Sequence, residues 1–125
     1  MKTRINTKNA PAPIGPYNQA ILAGDTLYVS GQIAIDPVSG DLITKDIISE
    51  TTQVMNNLKA ILQEANMSFD HVVKCSIFVK DLDQFTHINE TYGSFFSGIA
   101  PARETIEISR LPKDVSVEIS CIAIK

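Results

Sequence analysis

The strongest constraint on this chain is a change of period in its apolar residues. From Asp46 to Ala65 they recur at Ile47, Thr51, Val54, Leu58, Ile61 or Leu62, and Ala65, which is the spacing of one helix face. From about Leu82 to Phe96, the residues Leu82, Phe85, Ile88, Tyr92 and Phe95 or Phe96 make a second such stripe. Elsewhere the period is two. VVKCSIFVK sets Val73, Cys75, Ile77 and Val79 on one face and Lys74, Ser76, Phe78 and Lys80 on the other. QAIL and TLYVSGQIAI flank Ala23-Gly24-Asp25 and predict a hairpin, and ARETIEISRLPKDVSVEIS predicts a closing strand pair. The order strand, strand, helix, strand, helix, strand, strand is an α+β pattern. It lets both helices cover one face of a single mixed sheet of about six strands, with Asp46 capping the first helix.

A sheet covered on one side leaves its other face to water or a partner. Phe78, Ile122 and Ile124 fall on that face and are too apolar for solvent, so the chain is expected to associate with itself. At 125 residues it fits one domain, which buries roughly two-thirds of its unfolded surface and needs no disulfide or metal to hold a core. Cys75 and Cys121 lie in apolar alternating runs, as reduced small hydrophobes would.

The net charge of −3 is spread over interspersed charges, with no basic stripe or interleaved aromatics for a nucleic-acid groove. No apolar run follows the basic N-terminal residues, so neither a signal peptide nor a membrane span is expected, and a cytoplasmic location is the default. The sequons at Asn66 and Asn89 then carry no weight. There is no P-loop, dinucleotide fingerprint, HExxH, CxxC or nucleophile elbow. His71 and His87 have no metal-spaced partner and read as surface or capping residues.

What remains is a set of polar residues in awkward places: Tyr17, Ser30, Gly31, Asn89, Arg103, Thr105 and Glu118. Arg103 shares a strand face with Thr105, and Glu118 sits among Val117, Ile119 and Cys121. Each has a plain structural reading. Tyr17 can close the rigid IGPY corner, Ser30 and Gly31 can mark a bulge, Asn89 can cap or solvate a helix, and Arg103 with Glu118 can be an ion pair. A two-residue turn at Pro112 and Lys113 would set Glu118 opposite Glu107, which like charge disfavours; the register differs, or Glu118 has another partner.

The segments IGPYNQA, YVSGQIAIDP, NLKAIL, VKCSIFVKDL, FTHINETYGSFF, PAR and ISRLPKDVSVEISCIAI, in that order, resemble the RidA (YjgF-type) family of enamine/imine deaminases. The resemblance covers nearly the whole chain. It implies a chorismate-mutase-like homotrimer of α+β subunits with three clefts between subunits. It also implies cofactor-free hydrolysis of 2-imino acids, formed from 2-aminoacrylate or 2-aminocrotonate that pyridoxal-phosphate dehydratases release, to 2-keto acids and ammonia. Arg103 matches the arginine that grips the substrate carboxylate through two parallel hydrogen bonds, and Glu118 matches the acid–base glutamate. Tyr17, Ser30, Gly31 and Asn89 match positions around the cleft. Many members carry cysteine where this chain has Thr105, and a small residue where it has Glu104. Water attack needs no thiolate there, so this departure bears on substrate range, through the branched Thr105 and the added charge of Glu104.

Two other classes compete with this reading. Some family members are described as endoribonucleases or translation inhibitors, and a non-catalytic small-carboxylate-binding or chaperone-like role would keep Arg103 and make Glu118 dispensable.

Overall fold

The computed structural model describes residues 1–125. Six strands form one mixed sheet: β1 (Lys2–Ile5), β2 (Ala20–Ala23), β3 (Thr26–Gln32), β4 (Val72–Val79), β5 (Ala102–Glu107) and β6 (Val117–Ile124). Their order across the sheet is β1-β2-β3-β6-β4-β5. Helices α1 (Ile47–Glu64) and α2 (Phe85–Gly93) supply the second layer. Asp46 caps α1 as its sequence predicts, its side chain accepting the Ser49 N–H at 2.7 Å. The β2–β3 hairpin closes with Ala23 opposite Thr26, and Gly24 at φ 61° supplies the left-handed turn residue.

The core lies between helices and sheet. Val54, Leu58, Ile61 and Leu62 of α1 and Ile88 and Tyr92 of α2 pack against Leu27, Cys75, Ile77, Val117, Ile119 and Cys121. Leu58 is fully buried, and truncating it to alanine should cost about 2–5 kcal/mol. The opposite face carries Tyr28, Ser76, Phe78, Ile106, Glu118, Ser120, Ile122 and Ile124, half-buried or exposed, with no element over it. Phe78, Ile122 and Ile124 sit where the alternation puts them.

Three expectations change, and one strand goes unpredicted. The closing strands are not a hairpin: β5 pairs parallel with β4, β6 pairs antiparallel with β4, and β4 therefore lies between them. Glu118 faces Phe78 and never meets Glu107, so the like-charge conflict does not arise. Val73 is exposed while Val72 is buried, because a register shift between Val72 and Lys74 breaks the alternation. Leu82 is also exposed, since a short 3-10 turn over Leu82–Gln84 precedes α2 and turns that residue off the apolar stripe. Finally, β1 carries too little periodicity in KTRI to read as a strand; β2 recruits it as an edge.

Candidate functional site

The sheet separates the candidate residues into two groups. Arg103 and Thr105 on β5 stand beside Cys75 and Ile77 of β4 and so face the helices. The Arg103 guanidinium lies 5.3 Å from the Phe85 ring centroid and 5.2 Å from that of Tyr92, both on α2. It donates to Asn89 Oδ1 at 2.7 Å, so two rings and one neutral amide hold it, and no carboxylate of the chain pairs with it. Thr105 Oγ1 is buried and has no hydrogen-bond partner, and the same is true of the Tyr92 hydroxyl. Burial pushes the phenol of Tyr92 and the thiol of Cys75 upward, so both stay neutral beside the guanidinium.

Glu118 belongs to the other face. In β3, Ser30 and Gly31 together oppose only Ser120 of β6, because Val29 pairs with Cys121 and Gln32 with Ile119. This is the bulge their sequence allows, and it brings Gly31 against Glu118. A Cβ on Gly31 would lie 2.5 Å from Glu118 Oε2 and 2.9 Å from its carboxyl carbon, so the observed position of the Glu118 carboxyl depends on glycine here. Glu118 is half-buried, and desolvation pushes its carboxyl above the usual range. Ser30 is tied to the chain entering β2: its Oγ donates to the Asn18 carbonyl at 2.6 Å, and its N–H donates to that of Gln19 at 2.9 Å. Tyr17, half-exposed, lines a cavity of about 450 Å³ with Gly31, Ile14, Ile33, Pro112 and Lys113.

Gly31 thus meets both Glu118 and the cavity that Tyr17 lines, with Ser30 beside it in the bulge, and Arg103 meets Asn89 with Thr105 on the same strand face, but the two groups do not meet within one chain. They occupy opposite faces, and β5 and β6 are two strand spacings apart, roughly 10 Å. The intrachain ion pair between Arg103 and Glu118 is therefore excluded. Glu104 also turns away from Thr105: it sits on the open face and pairs with Lys74 at 2.8 Å, which removes it from the Arg103 pocket. His71 is a cap residue, its Nδ1 accepting the Ser68 N–H at 3.0 Å, and His87 is exposed on α2.

Sequence reasoning missed the polar side chains that brace these groups. Gln19, 2% exposed, reaches the carbonyls of Thr7, Ala10 and Pro11 and accepts the Thr7 N–H, fastening the segment that walls the cavity. Asn57 of α1 donates to the carbonyls of Ile33 and Ile35. Glu50, also on α1, accepts from the Ser116 and Val117 N–H groups. Nothing in a single sequence marks them, because a polar residue at a helix or strand position reads as solvated until the fold buries it.

The protein-family model described as Endoribonuclease L-PSP matches residues 7–125. The chain belongs to this family, that of the YjgF and RidA proteins. Among its relatives, a RutC family protein of Pyrococcus horikoshii is 50% identical over 125 residues, covering 100% of this chain and 99% of its own. The 2-iminobutanoate/2-iminopropanoate deaminase of Salmonella typhimurium is 42% identical over 128 residues, covering 100% of this chain and 99% of its own. Among solved structures, E. coli TdcF with bound serine superposes with a TM-score of 0.95 at 36% identity, covering 98% of each chain. The family expectation drawn from the sequence is thereby met.

Proposed function

We propose that this RidA-family chain hydrolyses small 2-imino acids, of the 2-iminobutanoate and 2-iminopropanoate type, without a cofactor. It would do so as a homotrimer whose clefts join the Arg103 group of one subunit to the Glu118 group of the next. The observation that carries this reading is the state of Arg103. A guanidinium held by two rings and an amide oxygen, with no carboxylate beside it, keeps its charge and most of its N–H fork available. That arrangement suits the planar two-point grip on a substrate carboxylate. The name of the Salmonella relative and the serine bound to TdcF, an amino acid with such a carboxylate, support the same ligand class.

The chemistry then needs only water and one acid–base group. Water adds to the protonated imine carbon while Glu118 takes one of its protons and returns it to nitrogen; the C–N bond of the carbinolamine then breaks as the hydroxyl proton passes through Glu118 to the departing ammonia, giving the 2-keto acid and ammonium. Desolvation makes the half-buried Glu118 carboxylate a stronger base than an ordinary exposed one, which suits a group that must take a proton from water and hand it on. Gly31 allows the glutamate close approach to the backbone, and Tyr17 walls the cavity from solvent. Pyridoxal-phosphate dehydratases in the same, cytoplasmic, compartment would supply the imines.

The test is a coupled assay in which a dehydratase acts on serine or threonine and keto-acid formation is followed with and without this protein. Acceleration that disappears in Glu118→Gln, while binding of a 2-keto acid persists, supports the hydrolase; equal rates for both proteins leave only a carboxylate binder. Light scattering should give about three times the chain mass of 13.7 kDa, and a monomer would defeat the shared cleft.

A further inference from the structure

Glu50 is the only acidic or basic residue among the buried side chains, 2% exposed in the first turn of α1. No cation pairs with it, since the chain's two ion pairs are Lys74–Glu104 and Arg110–Asp114. One oxygen, Oε2, accepts the backbone N–H of Ser116 at 2.7 Å and that of Val117 at 3.1 Å. Burial pushes its carboxyl upward and these two N–H groups pull against that shift. A buried carboxylate is costly to retain, so its place in the fold calls for a reason.

The two amides it holds join two parts of the candidate site. On one side is the turn over Pro112–Asp114, where Lys113 and Asp114 both adopt φ 55°, a left-handed backbone costly for residues with a Cβ and kept only where neighbours enforce it. Pro112 and Lys113 of that turn line the cavity with Tyr17 and Gly31. The turn's own ties are the Asp114 N–H to Leu111 O bond at 3.0 Å, the longer Val115 N–H to Pro112 O bond at 3.3 Å, and an exposed Arg110–Asp114 pair. On the other side Val117 leads directly into Glu118. Side chains alternate along β6, so any rotation of the backbone at Val117 swings Glu118 within a space that Gly31 leaves with almost no clearance.

We propose that Glu50 is a positioning residue: from the helix side of the sheet, its carboxylate fixes the Ser116–Val117 backbone and so holds Glu118 and the Pro112–Lys113 turn in one mutual geometry. The inference rests on Glu118 acting in imine hydrolysis. Hydrogen bonds from the two N–H groups to a carboxylate oxygen are shorter and stronger than those to a neutral acceptor. Glutamine keeps the reach but weakens both bonds and buries an NH2 with no assigned acceptor. Aspartate keeps the charge but falls a methylene short.

The experiment compares the full chain with Glu50→Gln and Glu50→Asp, measuring kcat and KM for dehydratase-generated 2-iminopropanoate, melting temperature, and amide hydrogen exchange at Ser116 and Val117. We expect Glu50→Gln to stay folded, with kcat down about threefold to tenfold, and Glu50→Asp to lose more than about tenfold, at little change in KM because the Arg103 group is untouched. Faster exchange at the two amides should follow the same order. Folded variants with wild-type kcat, or losses explained by the unfolded fraction alone, overturn the proposal and make Glu50 a residue of the fold only. If the wild type shows no turnover, or Glu118→Gln keeps it in full, the hydrolase reading fails and the proposal with it. Turnover that needs Glu118 but not Glu50 ends the proposal alone.

Discussion

The Arg103 region and the Glu118 region are built by different means. Around Arg103, side chains do the work: two rings and an amide from one helix hold a guanidinium at an exposed sheet edge. Around Glu118 the backbone does it, through a bulge in β3, a glycine that leaves room, and a turn with two left-handed residues. The first region should lose its function when a side chain is removed. The second should lose its function when an atom is added.

The largest effect tests whether the two regions work as one cleft. Arg103→Ala removes a charge-assisted pair worth about 1.5–3 kcal/mol, so turnover should fall at least about tenfold to a hundredfold, and Glu118→Gln should fall at least as far. Because the regions face opposite ways in one chain, the two inactive proteins should complement each other. Mixed trimers formed by co-refolding pair an intact Arg103 from one variant with an intact Glu118 from the other in about a quarter of clefts at equal input. Turnover that returns on mixing supports the shared cleft; mixed trimers as inactive as the parents would break it.

A smaller effect is expected from one added methyl. Gly31→Ala should displace the Glu118 carboxyl, whose flexible end can yield, so the protein should fold with a near-normal melting temperature while kcat falls by about tenfold. Equal losses of stability and activity would mean that the bulge itself has collapsed.

A third measurement concerns Glu118 and pH. Its folded carboxyl titrates above the usual value near 4.5, so the folded chain holds this proton more tightly than the unfolded chain. That contribution to stability is present at low pH and is lost as pH rises through the folded pKa. Glu118→Gln should therefore melt higher than wild type at pH 7–8, with the gain vanishing near pH 4. A constant difference across that range would assign the effect to packing. Least of all should change in Thr105→Ser or Thr105→Cys. Thr105 Oγ1 has no hydrogen-bond partner to lose, and water is the proposed nucleophile, so most activity should remain and thiol alkylation should not inhibit the wild type. Alkylation that abolishes turnover of an intact assembly would implicate Cys75 or Cys121.

Elements whose burial is one-sided were legible from the chain alone. Both helices, the Asp46 cap, the β2–β3 hairpin and the apolar open face follow from local periodicity and capping chemistry, which depend on neighbours a few residues away. The possible bulge at Ser30 and Gly31 was legible for the same reason, as a glycine within a strand. The pairing of the last two strands was not. A turn motif between two alternating runs looks like a hairpin, and nothing local records that β4 is inserted between them.

That insertion marks the division between sequence and tertiary structure. The sequence by itself determined which residues are polar where apolar ones would serve, and which face of its own strand each one takes, because alternation along a strand is a local rule. Only the tertiary structure decided which faces coincide. Parallel pairing of β5 with β4 turned Arg103 and Thr105 toward α2, and antiparallel pairing of β6 with β4 left Glu118 on the open side beside Gly31. The physical reason is that strand order and register depend on packing between residues tens of positions apart. That packing also buries Glu50 against amides 66 and 67 residues further along the chain.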